Sequence, residues 1–130
     1  MDTDSGHRPS LLLVDDEDRV LSSLKRALRR EGWLIVTAES SREALEILES
    51  HAFDVVLSDE KMPGMSGVEL LGRIAESHPS TVRLLLTGWS EAISQEALGA
   101  AGVEKVISKP WDDVELKALL RRYLGTGAPG

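Results

Sequence analysis

Four stretches of this chain set chemically capable side chains directly after apolar runs: "LLLVDDE" leads into Asp15 and Asp16, "VVLSDE" into Asp59, "LLLTGW" into Thr87 and "ISKPW" into Lys109. Three carboxylates brought together repel one another by several kcal/mol in order of magnitude unless a cation sits among them. Oxygen ligands without histidine or cysteine select a hard cation, and a site with few carboxylates and room for water suits Mg²⁺. A carboxylate, a Mg²⁺ site, a hydroxyl and an ammonium around one pocket form a set for phosphoryl transfer. Asp59 would be the nucleophile that accepts a phosphoryl group as an aspartyl phosphate. Mg²⁺, held by Asp16 and Asp59 directly and by Asp15 through water, would neutralise the equatorial oxygens, and Thr87 and Lys109 would bind the rest.

The pattern of apolar residues says what must position them. Short runs at 11–14, 33–38, 54–58, 81–86 and 104–108 read as five strands. Between them, Val20, Leu21, Leu24, Ala27 and Leu28 share a helical face, as do Ala44, Leu45 and Leu48, and then Val68, Leu71, Ile74 and Ala75. A weaker helix is expected near 91–100, and a last one from 112 to 124 turns Leu116, Leu120, Tyr123 and Leu124 inward. Helices alternating with nearly all-apolar strands predict right-handed crossovers and a parallel sheet covered on both faces. The expected fold class is α/β, a five-stranded doubly wound (flavodoxin-like) three-layer sandwich of strand order 2-1-3-4-5. In such a sheet ligands bind at the carboxyl ends of the strands, and strands one, three, four and five adjoin, so the polar ends converge. Strand two, followed only by Thr37, Glu39 and Ser40, is the edge.

Each of these residues also has a plainer reading. Asp18 suits a helix N-cap, Thr87 could be a strand residue turned outward, and Lys109 a solvated loop lysine. One cap does not need three neighbouring acids, and the plain readings would all have to hold at the ends of adjacent strands. His7, His51 and His78 lie in the tail, before strand three at the far end of the sheet, and at a helix stop, so none reaches the pocket. Pro63, Gly64 and Gly67 read as turn formers, with Gly67 freeing the start of the third helix.

At 130 residues the chain is the size of one domain, able to bury roughly two thirds of its unfolded surface. The net charge of -7, from 22 acidic and 15 basic residues, predicts a surface that repels nucleic acid and anionic membrane. Any DNA contact would need a partner domain. The absence of cysteine excludes disulfides and thiol chemistry and fits a reducing compartment. No apolar stretch approaches the ~20 residues of a membrane helix, and no signal peptide is visible. The chain is read as cytoplasmic, with a flexible N-terminal tail at 1–9, a domain at 10–124 and a flexible tail or the start of a linker at 125–130.

"LLLVDDE", "LSDEKMPGMSG", "LLLTGW" and "ISKPW" resemble the signature of bacterial response regulator receiver domains of two-component systems, over about residues 10–124. The resemblance implies that Asp15 and Asp16 are the acidic pair, Asp59 the phosphoacceptor, Thr87 the switch hydroxyl and Lys109 the phosphate-binding lysine, with a cis bond before Pro110. It adds the backbone carbonyl of Lys61 as a third protein ligand to Mg²⁺. It implies a sensor histidine kinase or histidine phosphotransfer protein as donor. The face made by the fourth helix, fifth strand and fifth helix would change on phosphorylation to control an output domain, a downstream protein or a homodimer. Such a protein is a switch with self-catalysed phosphoryl transfer rather than an enzyme. With Lys61 and Trp89 at the pocket mouth, slow self-dephosphorylation is expected.

One position departs from that pattern. Three residues before Lys109, where the family usually has Tyr or Phe, stands Val106, which cannot swap between buried and exposed as a ring does. Trp89 and Trp111 are then either half-buried loop residues or a reporting surface that replaces the ring. "KPWDD" resembles receivers joined to cyclic-di-nucleotide phosphodiesterases or hybrid kinases. Two rivals differ in class. A haloacid-dehalogenase-like phosphatase would need a general acid two residues after the nucleophile, where Lys61 stands. A receiver-shaped module that is never phosphorylated would usually lack an aspartate or the lysine, and this chain lacks none.

Overall fold

The computed structural model of the chain describes residues 8–88 and 92–125. The apolar runs form β1 (Ser10–Val14), β2 (Leu34–Ala38), β3 (Val55–Asp59), β4 (Val82–Thr87) and β5 (Lys105–Ser108). They build one sheet of order β2-β1-β3-β4-β5, with every neighbouring pair parallel. The crossovers carry α1 (Asp18–Leu28), α2 (Ser41–Ser50), α3 (Gly67–Ser77), α4 (Gln95–Ala100) and α5 (Asp113–Leu124), and a 3-10 turn at Arg29–Glu31 follows α1. This is the doubly wound flavodoxin-like sandwich that the alternation of elements predicts.

Side chains of successive strand residues point to opposite faces, so the same strands feed two cores. Leu11, Leu13, Val55, Leu57, Leu84 and Leu86 meet Leu21, Leu24 and Leu28 of α1 and Leu116, Leu120 and Leu124 of α5. Leu12, Val14, Val56 and Leu85 meet Ala44 and Leu48 of α2, Leu70, Leu71 and Ile74 of α3, and Leu98 of α4. Each buried leucine or isoleucine stabilises by about 1.5–3 kcal/mol. The central strands are thereby held at a fixed height.

Register then sets the level of the strand ends. Val14 lies beside Ser58, Asp59 beside Leu86, and Thr87 beside Ser108. Asp15, Asp59, Thr87 and Lys109 therefore stand at the same rim, within a residue of each strand's last rung. The ladder continues past the strands, with Glu60 N–H donating to Leu86 O (3.2 Å) and Lys109 N–H to Thr87 O (2.9 Å).

Several local expectations are corrected. Asp18 is not the N-cap of α1 but its first residue; Glu17 holds the extended cap conformation, without a side-chain bond to the helix. The burial of Leu21, Leu24 and Leu28 fixes the phase of α1, and Asp18 instead places its charge in the first turn, where the helix dipole favours it. Trp33 precedes β2 rather than belonging to it. It is buried, packs with the α1 and α5 leucines, and donates its indole N–H to Gly125 O at 2.9 Å. The inward stripe of α3 centres on Leu70, Leu71 and Ile74, with Val68 and Ala75 only half-buried. The fourth helix is short, starting at Gln95 behind a Ser94 cap. Trp89 lies outside the described residues. At the opposite end, Arg8 donates to Gly32 O (3.1 Å) and Trp33 O (3.2 Å), and Arg121 grips Glu31 with two bonds of 2.7 and 2.8 Å.

Candidate functional site

At the carboxyl rim of the sheet, a cleft of about 300 Å³ is lined by Asp16, Glu17, Asp59, Lys61, Thr87, Gly88 and Lys109. Asp15 lies beneath it, almost wholly buried, whereas Asp16 is exposed. Asp59 and Thr87, the last residues of β3 and β4, are also buried, at 6% and 2% exposure. Every residue singled out for chemistry is thus brought to one place. His51 and His78 are not, since they follow α2 and α3 at the other end of the sheet; His7 lies outside the described residues.

Lys109 is the charge that makes this cluster tolerable. Its Nζ lies 2.7 Å from Asp59 Oδ1 and 3.4 Å from Asp15 Oδ2. Burial works against its charge, but the hydrogen bond to Asp59 and the fields of both carboxylates outweigh that and leave its pKa raised. Burial also pushes the Asp15 carboxyl up; the N–H that Glu17 donates to it at 2.8 Å opposes this, and the charge of Asp59 adds to it. The Lys109–Pro110 peptide is cis.

Carboxylate oxygens of Asp15, Asp16 and Asp59 all lie within 4.8 Å of one another. An all-oxygen set of this span, open to water on the Asp16 side, fits Mg²⁺ better than a softer metal.

Two features escaped sequence reasoning. Gly67 is more than a turn former, because a Cβ there would run into the carbonyl oxygen of Asp59 and reach 2.9 Å from Glu60 Cα. That carbonyl also accepts the Ser58 hydroxyl at 2.9 Å. Glu60 is the second feature: its carboxylate accepts the Val68 N–H at 2.8 Å, across a loop whose closure no local pattern announces. Burial raises the Glu60 carboxyl, opposed by that amide and aided by the charge of Asp59.

Val106 is half-buried and packs with the α2–α4 core, on the sheet face it shares with Leu85. Trp111 is half-buried against the other core, its indole N–H bonded to Asp113 Oδ1 at 2.9 Å, which matches the plainer of its two readings. Among the described residues, no helix is long and apolar enough to cross a membrane.

Residues 11–121 match the family model of the response regulator receiver domain. The chain is 35% identical over 108 residues to the hydrogenase transcriptional regulatory protein HoxA of Cupriavidus necator, covering 82% of this chain and 22% of that one. It spans about a quarter of the length of such curated relatives. Among crystal structures, it resembles the signal receiver domain of an HD domain-containing protein from Pseudomonas fluorescens Pf-5, with a TM-score of 0.82 at 36% identity over 93% of this chain and 98% of that one. It also resembles the response regulator TrrA of Thermotoga maritima in complex with Mg(2+)-BeF, with a TM-score of 0.81 at 34% identity over 89% and 99%. Fold, strand-end cleft and likeness agree over nearly the whole length, and the chain belongs to the response regulator receiver domain family of two-component signalling.

Proposed function

We propose that this domain is a phosphorylation-controlled switch that takes a phosphoryl group onto Asp59 from a histidine kinase or histidine phosphotransfer protein. The observation that carries the reading is the seating of Lys109 against Asp59 at 2.7 Å, in a cleft shared with Asp16, Lys61 and Thr87. A free carboxylate oxygen of Asp59 attacks phosphorus, the bond from phosphorus to the donor nitrogen breaks, and its electron pair stays on the donor. Asp15, Asp16, Asp59 and the Lys61 carbonyl are the residues that would hold Mg²⁺, which when bound offsets the charge gathering on the phosphoryl oxygens. Lys109 leaves its ion pair with the carboxylate and binds one phosphoryl oxygen, and the Thr87 hydroxyl donates to another. The ammonium is already in place, so little reorganisation is needed.

Drawing Thr87 inward moves the end of β4 and, beside it, β5 with α4 and α5, the face that an output domain, a downstream protein or a second copy would read. The switching unit is the domain at 10–124. The relatives named as transcriptional regulators and the HD domain-containing neighbour each support a separate output module. Incubation with acetyl phosphate and Mg²⁺ is expected to add one phosphoryl group, lost in Asp59→Asn and on chelation. Labelling that survives Asp59→Asn overturns the assignment.

A further inference from the structure

The first N–H groups of a helix have no partner within it. At the start of α3 the Ser66 hydroxyl accepts the Glu69 N–H at 3.2 Å, and the Glu69 carboxylate accepts the Ser66 N–H at 3.0 Å. This capping box leaves the Gly67 and Val68 N–H groups unserved. Glu60 takes both: its backbone carbonyl accepts Gly67 N–H at 2.9 Å, and its side chain accepts Val68 N–H at 2.8 Å. Its own N–H goes to Leu86 O, beside Thr87. One residue thus ties the end of β3 to β4 on one side and to the start of α3 on the other.

Those bonds close the neck of the loop formed by residues 61–66. Gly67 permits the closure, because any side chain there would meet the Asp59–Glu60 backbone. Lys61 is the first residue beyond the neck, so the direction of its carbonyl depends on how tightly the neck is held. The Glu60 carboxylate feels the charge of Asp59, a repulsion that the amides at the start of α3 offset.

We propose that Glu60 is a positioning residue for the cation site, its side chain locking the loop neck so that the Lys61 carbonyl stays aimed at the ion. The role rests on the reading of Lys61 as a cation ligand given above. It is an acceptor role, not a charge role, and the two separate cleanly. Glu60→Gln keeps an oxygen for Val68 N–H and removes the charge. Glu60→Asp keeps the charge but is too short to reach, and Glu60→Ala has neither.

The test is calorimetric titration of the parent and the three variants with Mg²⁺ alone, beside amide exchange at Val68 and melting without metal. Glu60→Gln is expected to bind Mg²⁺ within about twofold of the parent, whereas Glu60→Asp and Glu60→Ala bind roughly tenfold more weakly with faster exchange at Val68. If Glu60→Ala does not fold, the Asp and Gln variants decide alone. Parent-like binding by Glu60→Asp, or a Gln variant as weak as the Asp one, overturns the proposal while leaving the site intact. A parent that takes up no Mg²⁺ overturns the cation site itself.

Discussion

The chemistry of the cleft depends on a balance among few groups. Asp15 has its carboxyl raised in the folded state, so the protonated form is the one that folding favours. Stability from this group is greatest below its ordinary value of 3.8 and is lost as pH rises through the raised native value. At neutral pH without Mg²⁺, Asp15→Asn should therefore melt several degrees above the parent, with the gap closing in acid; thermal melts over a pH series check this. Lys109 is raised as well, so it works in the same sense but at a higher pH. Its contribution is fully present below 10.5 and is lost only as pH rises above that, outside the range of these melts. Gly67→Ala tests close approach: pushing a methyl group into the Asp59 carbonyl should cost about 1–3 kcal/mol, read by urea unfolding, and should lower phosphorylation by acetyl phosphate in the fraction that remains folded. For the lifetime of the phosphorylated state, Lys61→Asn with Trp89→Ala should decay faster than the parent after donor removal. Equal decay would place control of the lifetime elsewhere.

Beyond the cleft, α5 is pinned at its far end by contacts that span most of the chain. The Trp33 indole holds Gly125, and Arg121 grips the buried Glu31 in the turn after α1. Trp33→Phe keeps the ring in the core but leaves Gly125 O without its donor, a loss of about 0.5–1.5 kcal/mol by chemical unfolding. The hydrogen bond from Arg121 holds the Glu31 carboxyl below its ordinary range, against some burial. Its contribution is fully present above the ordinary value of 4.5 and is lost as pH falls through the lowered native value. Glu31→Gln should therefore be less stable than the parent at neutral pH and should converge on it in acid, measured by urea melts from neutral to acid. These bonds fix the C-terminal turn of α5 to the segment that follows α1.

Taken as one body, the protein gathers a carboxylate cluster over a sheet whose both faces are already packed. Removing one of the repelling charges and supplying a cation should act alike on the fold. Millimolar Mg²⁺ should raise the melting temperature, by the equivalent of about 2.7 kcal/mol at a hundredfold excess over Kd. Asp16→Asn should raise the melting temperature of the metal-free protein and abolish the response. A melting curve indifferent to Mg²⁺ in the parent would remove the cation from the mechanism.

Much of this architecture is legible in the order of residues because its causes are local or periodic. Apolar runs that stop on Asp59 and Thr87 mark strand ends, alternation of strand and helix dictates the parallel sheet, and an α/β sheet of this order must converge its carboxyl ends. The chemical types of Asp15, Asp16, Asp59, Thr87 and Lys109 could thus be placed around one pocket before any coordinates. What depended on packing is different in kind. Asp18 has the side chain of an N-cap, yet the leucines of α1 set the helix phase and Glu17 takes the cap position. Trp33 reads as strand in a run of apolar neighbours, but its bond to Gly125 closes a separation of 92 residues that no window of sequence contains. Glu60 and Gly67 gain their importance only because α3 starts directly against the end of β3. Periodicity reports which face of an element is buried; which groups meet across a folded core depends on the summed contacts of all the elements, and those exist only in three dimensions.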